Sequence, residues 1–143
     1  AHQRSAVTLT GYDAKKQKVI NEEAGPDVVQ GEVPGGIIGP RLVADALGAS
    51  ATFRLREGAL TSGEARAYAR AEMLRRGRRL VTATGTAIGA PTMTVGTRLT
   101  LVDVGPIFDG GDYYVTNVHH AFDLEQGYLT HFEAERGYIN EVR

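Results

Sequence analysis

The feature that most constrains the fold of this sequence is the alternation of apolar and polar residues in its last third, residues 94–138. Three runs in this stretch put side chains of opposite character at alternate positions, which is the period of a strand with one buried face. Glycine-rich turns separate the runs, as short connections between antiparallel strands require. The pattern predicts three antiparallel strands, at residues 98–104, 113–122 and 128–136.

The turn between the last two runs sets the register of this predicted sheet. A two-residue turn at Glu125 and Gln126 would place His120 opposite His131, with Asp123 opposite Tyr128. A loop of another length would shift this pairing by a residue or two.

The main helix is predicted at residues 62–76. Thr61 and Glu64 have the spacing of a capping box, in which each residue satisfies an amide of the other. Gly77 is expected just beyond the helix C-terminus. The stripe expected to be buried consists of Ala67, Ala71 and Leu74. Further strands are expected at 6–12, 52–55 and 80–87.

The region 22–48 is predicted to be a loop region, because three pairs or triplets of proline and glycine interrupt it. Residues 42–47 could add one or two helical turns. The fold class that follows is mainly β (α+β), a small barrel-like antiparallel sheet with one main helix packed on it.

Composition excludes several classes of protein. A formal net charge of −1 argues against a dedicated nucleic-acid binder, and the absence of cysteine excludes disulfides and thiolate sites. No apolar run approaches the ~20 residues of a membrane-spanning helix. We expect residues 1–143 to form a single domain and a fragment of a longer protein, because the chain opens almost directly into a strand without an initiator methionine.

The histidines are the first candidates for chemistry. His119 and His120 are adjacent on a strand, so their side chains point to opposite faces. In the register above, His120 and His131 could meet near Asp123 or Glu133 and hold zinc or iron. The alternatives are a cross-strand polar pair or one buried histidine that donates to a backbone carbonyl. We favour these because no metal-ligand spacing supports the metal site.

No other pattern indicates catalysis. The aspartates stand mostly at turns, where they bond local amides, although Asp112 and Asp123 leave a hydrolase as a weak option. The glycine-rich segments lack the lysine of a phosphate-binding loop. The arginines of the predicted helix indicate a solvated face or salt bridges to a neighbouring subunit. We therefore predict no enzyme, and no catalytic, cofactor-binding or metal-binding residues.

The last third, together with the helix before it, resembles the phage late control D protein family, the baseplate hub of contractile tails and a relative of the hub region of VgrG spikes. A lead segment and two strand motifs carry the resemblance, which extends over residues 62–136 and, more loosely, 7–18. The residues are Gly89, Pro91 and Gly96, then Tyr114, Val115, Val118 and His120, then Gly127, Tyr128, Thr130 and Phe132.

This resemblance implies a structural hub module that assembles as a homotrimeric ring between tail tube and spike. It implies a location in a virion tail or tail-like particle assembled in the bacterial cytoplasm. The resemblance brings no catalytic residues with it, and we expect no cofactor, no specific nucleic acid and no membrane as partner.

A second hypothesis is a small ligand- or carbohydrate-binding β-domain of a larger enzyme. Such a domain is expected to expose aromatic rings on one platform. Tyr113, Tyr128 and Tyr138 are the candidates, and the absence of tryptophan weighs modestly against it.

Overall fold

The computed structural model describes residues 3–48, 52–56 and 61–141. Most of the regular structure is β, and one long helix accompanies it, as predicted. The described strands form three open sheets rather than a closed barrel, so the barrel-like part of the prediction holds only loosely. The elements are β1 (Ala6–Asp13), β2 (Lys18–Ala24), α1 (Pro26–Gln30), β3 (Ile37–Ile38), α2 (Gly39–Leu47), β4 (Thr52–Arg56), α3 (Ser62–Arg78), β5 (Val81–Ile88), β6 (Arg98–Leu101), β7 (Gly110–Asp123), β8 (Gly127–Arg136) and β9 (Tyr138–Ile139).

The N-terminal half is a three-stranded sheet covered by α3. Its strand order is β2-β1-β4, with β1 antiparallel to β2 and parallel to β4. Val7 and Leu9 of β1 and Ile20 of β2 are buried against Ala69 and Met73 of α3. This layer of helix on sheet is the larger hydrophobic core of the molecule.

Helix α3 begins as predicted but buries a different face. Thr61 Oγ1 accepts from the amide of Glu64 over 3.3 Å, and the Glu64 carboxylate accepts from the amide of Thr61 over 2.9 Å. The buried stripe is Ala65, Ala69, Met73 and Gly77, so the prediction of Ala67 and Ala71 was wrong. Both stripes repeat alanine every four residues, and methionine and glycine continue only the buried one.

The helix also passes through Gly77 instead of ending before it. A Cβ at Gly77 would lie 2.5 Å from Val29 Cγ2, so this glycine lets α1 and α3 approach closely. The predicted role of Gly77 as a C-terminal cap was therefore wrong.

The region 22–48, predicted as a loop region, carries the end of β2 together with α1, β3 and α2. Pro26 and Pro40 occupy the first turns of α1 and α2, where a proline has no helical hydrogen bond to lose. Val28 and Val29 of α1 enter the core. Pro26 and Pro40 contributed to the prediction of a loop region, but in the structure each one lies at the start of a helix.

The C-terminal half is an antiparallel sheet of order β5-β8-β7-β6. Its inner face buries Tyr113, Val115 and Ala134. Loop carbonyls cover that face: the Tyr113 hydroxyl donates to Phe108 O over 2.7 Å, and the Thr130 hydroxyl donates to Ala90 O over 3.3 Å. The outer face of the sheet is exposed and polar along β5, where burial alternates residue by residue.

The hairpin between β7 and β8 has a different register from the one predicted. Asp123 pairs with Gly127, leaving a loop of residues 124–126, so His119 rather than His120 lies opposite His131. Asp123 Oδ1 accepts from the amides of Glu125 and Gln126 over 2.8 and 2.6 Å, and Gly127 has φ +74°. A side-chain cap and a left-handed glycine thus fix a loop one residue longer than expected.

The two halves are joined by the short pairing of β3 with β9, in which Ile37 faces Ile139 and Ile38 faces Tyr138. This pairing holds the chain end against the N-terminal half and leaves a cleft between the halves. No helix in the described part of the chain has the length and apolar character to cross a membrane.

Candidate functional site

The cleft between the two halves has a volume of about 450 Å³. We call it the junction cleft. Six of the residues that line it bear on its chemistry, and they come from the α1–β3 connection, the end of α3, one end of the C-terminal sheet and β9. They are Glu32, Arg78, Arg98, Asp112, Tyr114 and Tyr138.

Two ion pairs flank the junction cleft. Arg98 Nη1 lies 2.9 Å from Asp112 Oδ1. Arg78 binds Glu32 through two parallel bonds, Nε to Oε2 at 2.8 Å and Nη2 to Oε1 at 2.7 Å. The hydrogen bonds to Glu32 raise the pKa of Arg78. Because these guanidinium groups are largely exposed, they retain donors that can meet a ligand.

Asp112 has an unusual backbone for a residue with a side chain. Its φ is +65°, which lies in the left-handed region. Gly110, two residues earlier, also has a positive φ of +117°. This conformation leaves its carboxylate bridging two groups, with Oδ1 on Arg98 and Oδ2 accepting from the Tyr138 hydroxyl over 3.1 Å. A non-glycine residue held this way is more common at sites of function than elsewhere.

Burial, followed by the hydrogen bond and charge of Asp112, raises the pKa of Tyr138. Tyr138 is therefore a neutral hydroxyl donor across the ordinary pH range.

The base of the cleft is fixed by Arg136, which is only 2% exposed. Its Nε donates to Tyr138 O over 2.9 Å and its Nη2 donates to Ile107 O over 3.0 Å. Its guanidinium carbon lies 4.6 Å from the ring centroids of both Tyr113 and Tyr138. Three backbone carbonyls and two rings hold this side chain, so its role is to connect the C-terminal strand with the sheet.

One aromatic ring in the cleft stays accessible. Tyr114 is 45% exposed and lies directly across from Arg98 in the pairing of β6 with β7. Of the predicted platform, Tyr113 is buried inside the sheet, and Tyr128 contacts His120 on the inner face. Of these three predicted tyrosines, only Tyr138 lines the cleft. Tyr114 was not among the predicted platform residues. Alternation along β7 could have identified it, because neighbouring side chains on a strand point to opposite faces and a buried Tyr113 leaves Tyr114 exposed.

The predicted pair of His120 and His131 does not form. His120 lies on the inner face, where Nδ1 is 3.0 Å from Thr130 Oγ1 and Nε2 is 3.1 Å from Met93 O. His131 lies on the outer face, stacked on His119 with ring centroids 6.1 Å apart. Within the described residues, no group of three or more histidine and carboxylate side chains could hold a metal ion.

The candidate carboxylates are separated. Asp112 and Asp123 stand near opposite ends of β7, eleven residues apart, a span of roughly 35 Å in a strand. They cannot act on one bond, so the hydrolase option fails.

Four of the five arginines of α3 form ion pairs within the chain, namely Arg66, Arg75, Arg76 and Arg78. Glu72 binds Arg75 and Arg76, while Arg66 binds Glu22 over 3.2 Å. Arg66 and Arg75 are also largely exposed, as the predicted solvated face requires, and salt bridges to a neighbouring subunit stay a prediction.

Comparison with known families bears on the two hypotheses for the chain. Residues 1–123 match the family model for the Alg8 N-terminal domain. The chain belongs to the Alg8 N-terminal domain family. A search of curated proteins found no match.

Membership of the Alg8 N-terminal domain family shows that the resemblance to late control D and VgrG hub proteins was wrong. The predicted hub function and the predicted location in a virion tail were therefore also wrong. The motifs behind the resemblance, such as Tyr114 with Val118 and Gly127 with Phe132, report strand alternation and a hairpin glycine, which many β-proteins share. The homotrimer stays a prediction, as do the tail-tube and spike contacts that the resemblance implied.

Proposed function

We propose that this chain is a carbohydrate-binding accessory domain of a glycosyltransferase, and that the saccharide binds in the junction cleft. The family assignment supports this proposal, because Alg8-type domains belong to glycosyltransferases. It also fits the second hypothesis from the sequence, a small binding domain of a larger enzyme.

The chemistry of the junction cleft suits a sugar ring. A pyranose has hydroxyl groups that donate and accept, and a patch of C–H bonds that packs against the face of an aromatic ring. Tyr114 offers such a face at the surface of the cleft. Arg98 and Asp112 offer charged donors and acceptors beside it, and hydrogen bonds to charged groups are the stronger ones.

The observation that carries the proposal is the arrangement of Tyr114, Arg98 and Asp112. Tyr114 and Arg98 face each other across neighbouring strands, and Asp112 binds Arg98 at 2.9 Å. An exposed ring next to an oriented carboxylate and guanidinium is a preformed site, so little ordering would accompany binding.

We propose further that the domain performs no catalysis. Each of three carboxylates at the cleft, Glu32, Asp112 and Glu135, lies within 4.0 Å of an arginine. Carboxylates paired in this way are occupied by the arginines, and their remaining lone pairs can accept hydrogen bonds from hydroxyl groups.

The test is isothermal titration calorimetry of the domain with neutral, acidic and amino-sugar oligosaccharides. We expect at least one class to bind, and Tyr114→Ala to weaken its affinity at least tenfold. The matched control is Tyr68→Ala, which removes a 55% exposed tyrosine of α3 outside the cleft and should leave the affinity unchanged. Binding by no class, or equal affinities for the Tyr114→Ala variant and the parent, would refute the proposal.

A further inference from the structure

We propose that His119 and His131 form a two-imidazole site for a divalent transition-metal ion on the outer face of the C-terminal sheet. The site is separate from the junction cleft and stands independently of the proposed carbohydrate binding. Both side chains are exposed, and they line a shallow groove of about 390 Å³ with Thr84, Asn117 and Glu133.

The backbone brings the two imidazoles together. His119 and His131 are direct partners in the pairing of β7 with β8, and their rings stack with centroids 6.1 Å apart and planes 20° apart. Direct cross-strand partners have Cβ atoms about 4.5–5.5 Å apart. Two imidazole nitrogens that bind one ion at about 2.0–2.1 Å in tetrahedral geometry lie about 3.3 Å from each other. Rotation of two exposed side chains on a fixed backbone closes the remaining gap.

The hydroxyl group of Thr86 on β5 orients the His131 ring. Thr86, the partner of His131 in the pairing of β5 with β8, has its Oγ1 2.8 Å from His131 Nδ1. In the metal-bound form, Nδ1–H donates to Thr86 and leaves the Nε2 lone pair for the ion. Metal-ligating histidines are usually held by a hydrogen bond of this kind at the other nitrogen. The His119 side chain makes no hydrogen bond to any described residue, so its ring is free to turn.

The number and type of the ligands determine which ions should bind. With two histidines and no third histidine or carboxylate close enough in the described part of the chain, the other coordination positions are open to water. Neutral imidazole binds copper, nickel and zinc, and Cu²⁺ is the tightest of these divalent ions at a nitrogen site. We therefore expect the order Cu²⁺, then Ni²⁺ and Zn²⁺.

The experiment titrates the domain with each ion by calorimetry. All proteins carry His2→Ala, since the remaining histidine of the sequence could bind metal by itself. We expect His119→Ala and His131→Ala each to weaken Cu²⁺ affinity at least tenfold. His120→Ala is the matched control, because it removes a histidine of the same strand from the inner face. Thr86→Val should weaken binding about tenfold through loss of the orienting bond.

A second measurement remains decisive if a variant loses stability. Addition of Zn²⁺ to the domain should shift the imidazole NMR signals of His119 and His131 and leave those of His120 in place. Equal Cu²⁺ affinity in the His119→Ala variant and its parent, or a Zn²⁺-induced shift at His120 alone, would overturn the proposal.

Discussion

Tyr138 donates its hydroxyl hydrogen to Oδ2 of Asp112 over 3.1 Å, and this bond connects the last strand of the chain with the sheet at the junction cleft. The partners are 26 residues apart in sequence. Asp112 reaches Tyr138 from a left-handed backbone, while Tyr138 is placed by the pairing of β9 with β3. The bond therefore depends on both halves of the molecule and is a sensitive probe of how they are joined.

Replacement of Tyr138 by Phe should lower the free energy of unfolding by about 1.5 kcal/mol at neutral pH, because the Asp112 carboxylate loses the hydroxyl group that donates to it. Urea unfolding measures this change. Tyr68→Phe, at an exposed position on α3, serves as the control and should have no effect. A loss of equal size in both variants would show that the bond does not contribute.

The same bond predicts how stability depends on alkaline pH. The pKa of Tyr138 is raised in the folded chain, by burial first and by Asp112 second, and burial also raises the pKa of Tyr113. The unfolded chain therefore loses these protons first as pH rises. The stabilisation is complete below about pH 10, the ordinary tyrosine pKa, and is lost as pH rises through the folded-state values.

Urea midpoints between pH 8 and 11.5 measure this dependence. Above pH 10 the midpoint should fall in the parent protein and fall less steeply in Tyr138→Phe. A parallel decline in the two proteins would contradict the prediction.

The close contact of Gly77 with Val29 gives a second prediction. A Cβ at position 77 would lie 2.5 Å from Val29 Cγ2, so Gly77→Ala should destabilise the protein by about 1–3 kcal/mol through overpacking. Gly63→Ala in the same helix is the matched control, because its Cβ meets nothing nearer than 4.0 Å. That change should be neutral or stabilising by up to about 1 kcal/mol.

Thermal and urea unfolding of the double variant Val29→Ala/Gly77→Ala complete the test of this contact. If overpacking is the cause, the two changes together should cost less than the sum of their separate effects. Additive costs would indicate that Gly77 is needed for another reason.

The start of α3 gives a third prediction. Thr61→Ala removes both the acceptor for the Glu64 amide and the hydroxyl that contacts its carboxylate, and should cost about 1 kcal/mol. The hydrogen bonds from the Thr61 amide and then from the Thr61 hydroxyl lower the pKa of Glu64. Alanine keeps the amide and loses the hydroxyl, so the stabilisation from the hydroxyl bond is present at neutral pH and is lost as pH falls through the folded-state pKa.

Urea unfolding at pH 7 and pH 3 measures both effects. Ser62→Ala, at the next exposed position, is the control. The difference between Thr61→Ala and the control should be smaller at pH 3. An equal difference at both pH values would argue against the capping box.

The sequence predicted local features best where a pattern was compatible with a single structure. The capping box at Thr61 was of this kind. The buried face of α3 was mispredicted because alanines repeat at the same interval on two sides, and Met73 and Gly77 select between them. The junction cleft was beyond such reasoning, because residues as distant as Glu32 and Tyr138 meet there only after β3 pairs with β9.

The loop between β7 and β8 gives the last prediction. Gly127 has φ +74°, and a side chain there would be strained in the left-handed region although nothing lies within 4 Å of its Cβ position. Gly127→Ala should therefore lower the free energy of unfolding by about 1 kcal/mol. Gly35→Ala is the matched control, since that site is equally open and its φ lies outside the left-handed region. Chemical denaturation measures both changes, and cross-strand NOEs should still place His119 opposite His131, because Asp123 continues to cap the loop. A shift of the NOEs to His120 would mean that Gly127, rather than Asp123, sets the register.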